Sequence, residues 1–213
     1  MKIFIKDDLS FLVKNTENIS GEKLTTVLRE RGLIFNDIAD IDFNYDIRNY
    51  ENKLRENEVE SGDKCSTFYI PGKSTTGINV FFLESERNGF PPMIKVVFPK
   101  MCSRHDSEMG INLVEESARF LKSNIIINDE ESMAADAFVH VYNNEWIKSF
   151  VNSNASDIIQ IAQKLDEGEE VIVPGLLRDL YVGKNTLEGL KTGEPENIEE
   201  RLMLIFIDCS ANI

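Results

Sequence analysis

The sequence predicts an α+β fold, a mixed and largely antiparallel sheet with several helices packed on it, and three observations carry that expectation. Short apolar or alternating runs bounded by Pro and Gly mark strands. Apolar stripes at helical spacing mark helices. Hairpin-like strand pairs interrupt any regular strand-helix-strand repeat. The chain has 213 residues and 42% hydrophobic content, enough to bury a core in one large domain or a domain with a small subdomain. Its 13 Phe, 5 Tyr and 1 Trp exceed what a solvated acidic coil carries, which argues against disorder of the whole chain.

Residues Met1 to Asp8 read as a short strand rather than a secretory leader, because acids arrive before any apolar run. A helix follows Ser20, where Leu24, Val27, Leu28 and the stem of Arg31 share a face and Gly32 ends it. Then Ile41, Phe43, Tyr45 and Ile47 alternate with Asp40, Asp42, Asn44 and Asp46, the period-two mark of a half-buried strand. The charge-dense stretch from Asn49 to Asp63 closes on Ser61-Gly62-Asp63 and is the best boundary. It divides an N-terminal strand-helix-strand region at residues 1–64, a candidate subdomain, from a main α+β domain at 65–213.

Beyond it, Thr67 to Ile70, Ile78 to Glu84 and Met93 to Phe98 are strand-like runs, separated by Pro71-Gly72 and by Asn88-Gly89-Phe90-Pro91-Pro92. The last two form a hairpin. A helix from about Ser107 to Lys122 aligns Leu113, Val114, Ala118 and Leu121 on one stripe, with Asp106 or Ser107 as its cap. Ile125-Ile126-Ile127 reads as a buried strand. Ala137 to Tyr142 reads as another, with His140 facing solvent, and Trp146 to Val151 reads as a short helix. A further helix, capped by Ser156 or Asp157, runs through Ile158, Ile161, Ala162 and Leu165 to Gly168. Val171 to Val173 and Leu180 to Val182 are strands, Arg178-Asp179 an ordinary strand pair, and the apolar run Leu202 to Ile207 a central strand. The asparagine-rich texture, as at Asn143-Asn144, Asn152 and Asn154, points to no mechanism.

Charge is the feature that speaks to partners. The formal net charge is −14, and it divides as −4 over residues 1–64, +1 over 65–128 and −11 over 129–213. Such a field repels nucleic acid and anionic lipid and attracts basic surfaces. Neither a basic stripe nor aromatic residues interleaved with Lys or Arg appear, so nothing recommends nucleic-acid binding. No apolar stretch approaches a membrane span. Cys65, Cys102 and Cys209, an odd number at wide spacing, suit reduced thiols, and the chain reads as a cytoplasmic protein.

Several patterns come near to chemistry. Asp40, Asp42, Asn44 and Glu51 stand at the first, third, fifth and twelfth positions of a calcium loop. The sixth position, where such a loop turns and takes Gly, is Tyr45, and an aromatic is a poor fit to that backbone. The strand reading explains the same residues without strain and takes precedence. Thr67 to Ser74 ends like a phosphate-binding loop but lacks the first Gly and the following helix, and Gly183-Lys184-Asn185-Thr186 has Asn in place of the hydroxyl residue.

Cys102-Ser103-Arg104-His105-Asp106 gathers a thiol, an imidazole and a carboxylate ahead of a helix. A helix N-terminus can depress a thiol pKa and His can act as base. Nucleophile and base more often meet from distant parts of a chain, so the simpler reading is a capped helix, a turn histidine and a core cysteine. Zinc would need convergence from positions 65, 102, 105, 140 and 209 without a Cys-x-x-Cys pair. No cofactor is implied.

Paired carboxylates are abundant, as at Glu115-Glu116 and Asp129-Glu130-Glu131, and abundance makes them poor evidence for acid-base catalysis. Two functional readings from different classes result. The preferred one is a non-catalytic, inhibitor- or immunity-like interaction protein that docks a basic partner through Asp166, Glu167, Glu169, Glu170, Glu194, Glu196, Glu199 and Glu200. The alternative is a small enzyme built on Cys102, His105 and Asp106, with a calcium-binding module at 40–51 behind both. Neither reading specifies an oligomeric state.

Overall fold

Leu9–Lys14 forms β1, with its four central residues buried, and this strand organises the main sheet. The computed structural model describes residues 9–15, 17, 19–30, 39–42, 64–83, 92–128, 131–176, 178–191 and 197–211. After β1, the Asn15 side chain donates to Ile19 O at 2.7 Å and accepts from Ile19 N at 3.0 Å, turning the chain into α1 (Gly21–Glu30). Ser20 Oγ accepts from Lys23 N at 3.3 Å, a contact of N-cap type. There follow β2 (Ala39–Asp42), β3 (Lys64–Tyr69), β4 (Ile78–Leu83), β5 (Met93–Phe98), α2 (Arg104–Leu121), β6 (Ile125–Ile127) and β7 (Glu131–Met133). The chain continues through α3 (Ala135–Val141), α4 (Asn144–Lys164), β8 (Glu170–Val173), β9 (Leu180–Gly183), α5 (Lys184–Lys191) and α6 (Ile198–Ala211).

The fold is α+β. Among the described residues the main sheet has the order β2-β3-β4-β5-β1-β6-β7, and each neighbouring pair is antiparallel. β1 stands in the interior, with Phe11 opposite Val96 of β5 on one side and Ile127 of β6 on the other. The expected hairpin partners, β4 and β5, are paired with Val80 opposite Val96. A second, two-stranded sheet joins β8 to β9.

One face of the main sheet presents Phe11, Val13, Ile78, Val80, Ile94, Val96 and Phe98 to the principal core, and α2 lies across it against β1, β4, β5 and β6. Gly110 permits the close approach, because a Cβ there would meet Phe98 Cε1 at 2.8 Å. β4 is buried along its whole length, and its alternate residues Phe81 and Leu83 join Val97 in a second small cluster. Such two-sided burial explains why its sequence is a continuous apolar run. α4 packs on α2 and in turn meets α5, α6 and the β8–β9 pair, which form an outer layer.

Four expectations are corrected. Ala137 to Tyr142 is not a strand but α3 and its end, with Phe138 buried and His140 exposed on the helix. Leu202 to Ile207 is not a central strand but the middle of α6, where Leu202, Met203 and Phe206 are buried at helical spacing. A short uniformly apolar run has no period of its own, so length and capping decide. Here Asn197 Oδ1 accepts from Glu199 N at 3.0 Å and opens the helix. Likewise, the two helices expected around 146–151 and 158–165 are one helix of 21 residues, α4. Asn143 caps it, accepting from Glu145 N at 2.9 Å and Trp146 N at 3.1 Å, which leaves Ser156 and Asp157 in its interior. Lastly, Arg178 and Asp179 precede β9 rather than forming a strand pair.

The expected strand at Met1 to Asp8, the residues Phe43 to Ile47, the polar stretch 49–63, Gly32 and the turn at 88–91 lie outside the described residues.

Candidate functional site

The densest polar constellation lies where the N-terminus of α2 meets the loop before β4. Ser103 is the N-cap: its side chain accepts from Asp106 N at 3.0 Å, while Asp106 Oδ2 accepts from Ser103 N at 2.9 Å, a reciprocal capping box. The helix therefore starts one turn before Asp106 and Ser107, the expected caps. Asp106 Oδ2 also accepts from the Thr75 amide at 3.0 Å and the Thr75 hydroxyl at 3.1 Å. That hydroxyl lies 2.6 Å from Met101 O. Met101 holds a φ of 73°, a left-handed conformation costly for a side-chain-bearing residue, and it is fully buried. Leu176 N donates to Thr75 O at 2.9 Å, so the same loop reaches the segment after β8.

Thr75, Met101, Cys102, Ser103, Asp106 and Ser107 are each 0% exposed. Asp106 Oδ1 is buried without a hydrogen-bond partner among the described residues. The Cys102 thiol lies against Ser107 Oγ at 3.3 Å, and Ser107 Oγ in turn donates to Ser103 O at 3.0 Å. His105 is half-buried on the first turn of α2. Of the three residues considered for chemistry, Cys102 and Asp106 are thus inside the protein, and Asp106 is committed to the helix cap. The arrangement locks α2 onto the sheet loop and offers a solvent-borne substrate no direct path to the thiol.

Asp40 and Asp42 stand in β2 opposite Phe68 and Ser66 of β3; Asn44 and Glu51 lie outside the described residues. Among the described residues no three of His, Cys, Asp and Glu converge in a metal-binding group. Thr67 to Ser74 is β3 followed by a turn, with Lys73 N and Ser74 N both donating to Ile70 O at 3.0 Å, and the next element is β4, a strand. At Gly183 a strand does pass into a helix, but Thr186 Oγ1 accepts from Gly183 N at 3.4 Å and lies 3.3 Å from Tyr181 O, so its hydroxyl serves the turn.

The described acidic candidates lie at two places, the passage from α4 to β8 and the first turn of α6. Asp166, Glu167 and Glu170 are exposed and Glu169 is half-buried in the passage from α4 to β8, where Glu169 Oε2 accepts from Asp166 N at 3.0 Å. Glu200 is exposed on the first turn of α6, and the half-buried Glu199 beside it accepts from Ser156 Oγ at 2.8 Å. Glu194 and Glu196 lie outside the described residues. Among the described residues no ion pair engages Asp166, Glu167, Glu170 or Glu200. Elsewhere acids are neutralised: Arg119 reaches Glu115 at 2.9 Å and Asp136 at 2.7 Å, Arg104 reaches Glu108 at 2.7 Å, and Lys100 reaches Asp157 at 3.2 Å.

Sequence reasoning passed over an aromatic chain. Phe11 meets Phe98, Phe138 and Tyr142 edge-on, and from Tyr142, at the end of α3, the contacts pass to Trp146 and Phe150 on α4, the last two stacked at 4.9 Å. The i, i+4 spacing of Trp146 and Phe150 on α4 was the available signal. Burial, with the Glu131 carboxylate adding to it, pushes the Tyr142 hydroxyl above the usual tyrosine range.

One family model, described as a domain of unknown function, matches residues 8–200. No curated protein and no solved structure matches the chain.

Proposed function

The chain belongs to the DUF4299 family, whose description names no activity, and we propose from its charge and burial that it is a non-catalytic interaction protein docking a basic partner through its acidic outer layer. The observation that carries this reading is the set Asp166, Glu167, Glu170 and Glu200, exposed and outside any ion pair among the described residues. Unpaired surface carboxylates of one sign cost folding energy through mutual repulsion, and they raise the encounter rate with a cationic surface. Residues 129–213 hold most of the excess negative charge. The burial of Cys102 and Asp106 supports a structural rather than a catalytic use of that corner. Among the described residues no helix is long and apolar enough to cross a membrane, and the odd cysteine count suits a reducing, cytoplasmic setting.

Immobilised protein incubated with source-cell extract at low salt should retain a basic protein that elutes as salt rises. The same protein carrying Asp166→Lys, Glu167→Lys and Glu170→Lys should retain less of it. Retention that ignores both salt and charge reversal would reject the proposal.

A further inference from the structure

Leu204 and Ile205 are adjacent on α6 and are 56% and 38% exposed. The same helix buries Leu202, Met203 and Phe206 and packs against α4 and α5. The middle of α6, Leu202 to Ile207, is apolar all round, a pattern that ordinarily belongs to an enclosed helix, and among the described residues nothing encloses its outward side at Leu204 and Ile205. Among the described residues the other large exposed hydrophobics, Val141 and Tyr181, lie on α3 and β9; single exposed apolar side chains are ordinary.

The surroundings of Leu204 say what would cover it. Glu200 and Asp208 stand one turn before and one turn after it, both exposed, and i, i+4 spacing places all three on one stripe. An apolar centre is therefore bracketed by carboxylates. A second copy of this chain, itself at −14, would bring acid against acid, and an anionic membrane would be repelled in the same way. A segment whose apolar side chain is flanked by cations complements both Leu204 and Glu200.

We infer that the outward face of α6 is the seat of the partner, and that its occupant is an amphipathic basic helix of another protein, anchored on Leu204 and Ile205 and flanked by Lys or Arg facing Glu200. This rests on the docking role proposed above and narrows it to one surface. Helices commonly lay an apolar face on such a stripe. Buried apolar anchors set the dissociation rate, and rim charges set the encounter rate.

The test uses the full chain and two synthetic helical peptides. One carries leucines at i, i+3, i+4 and i+7 among lysines; the other has alanine in place of each leucine. Leu204→Gln should weaken the Leu/Lys peptide about tenfold, the loss expected from removing an anchor, and should leave the Ala/Lys peptide unchanged. Ile205→Gln serves as an independent second variant, and both should retain the parent circular dichroism spectrum. Glu200→Lys should weaken both peptides. If neither glutamine variant changes Leu/Lys binding while Glu200→Lys does, docking by charge survives and the α6 anchor is overturned. If neither peptide binds even at low salt, the docking role itself fails. A dimer in sedimentation velocity that Leu204→Gln dissolves would make the occupant a second copy and overturn the inference.

Discussion

Thr75 and Asp106, 31 positions apart in sequence, are joined twice: the Thr75 amide donates to Asp106 Oδ2 at 3.0 Å and the Thr75 hydroxyl lies 3.1 Å from the same oxygen. This carboxylate also accepts from Ser103 N, so one side chain caps α2 and ties it to the loop that enters β4. The relationship gives Asp106 a structural role.

Asp106→Ala leaves the Thr75 and Ser103 amides without their acceptor, and a buried unsatisfied donor is costly. The expected destabilisation is about 3 kcal/mol. Asp106→Asn keeps an acceptor oxygen for both amides, and its expected cost is about 1 kcal/mol. Urea denaturation of both variants measures the difference; equal losses would remove the acceptor role.

Gly110→Ala separates helix propensity from packing. In an exposed helix the change would stabilise by up to about 1 kcal/mol, but here the new Cβ would meet Phe98 Cε1 at 2.8 Å, and Phe98 is fully buried. Overpacking should win, with a net loss of about 1 to 2 kcal/mol. A raised denaturation midpoint would show that α2 and β5 have room to separate.

Cys102 is fully buried against Ser107, so in the native protein iodoacetamide should modify it more slowly than a free thiol at the same pH, with full reactivity regained in denaturant. Mass mapping of alkylated peptides over time reads this out. Native-state labelling at or above the free-thiol rate would revive a nucleophilic role for Cys102.

Tyr142 is held above the ordinary tyrosine range by burial and by Glu131. A proton bound more tightly in the folded state stabilises it, and that contribution is complete below the unfolded pKa of about 10 and is lost as pH rises through the folded value. Tyr142→Phe should therefore lose less stability than the parent as pH is taken above about 10. Parallel denaturation curves at neutral and alkaline pH test it, and identical alkaline losses would refute the assignment.

Much of the sheet was legible because β-branched and aromatic runs at 67–70, 78–84, 93–98 and 125–127 are short and punctuated, and β3, β4, β5 and β6 lie at those places. The same logic failed at 137–142 and 202–207, where equally apolar runs are helices. At 202–207 the helix is marked by capping chemistry, carried by an asparagine that appears featureless in sequence, whereas α3 over 137–142 has Ala134 at its N-cap with no side-chain cap bond. Asn143 starts α4, Asn197 starts α6, Asn15 turns β1 into α1, and Asn128 takes a φ of 46° after β6. Of the candidate site, the Ser103-x-x-Asp106 spacing of a capping box was readable and shows why Asp106 is not the cap. Its link to Thr75 was not, because no local rule places a loop residue 31 positions away on that oxygen. The acidic residues were readable as composition, but only the fold shows that Glu200 and Asp208 bracket Leu204 on one helix.

The claim that this protein docks a basic partner is tested most directly by association kinetics. Stopped-flow association with a lysine-rich helical peptide, measured across ionic strength, compares the parent chain with Asp166→Lys, Glu167→Lys and Glu170→Lys combined. The expected result is a rate that falls steeply as salt rises for the parent and a much shallower dependence for the variant. Rates independent of salt, or two coincident salt dependences, would contradict it.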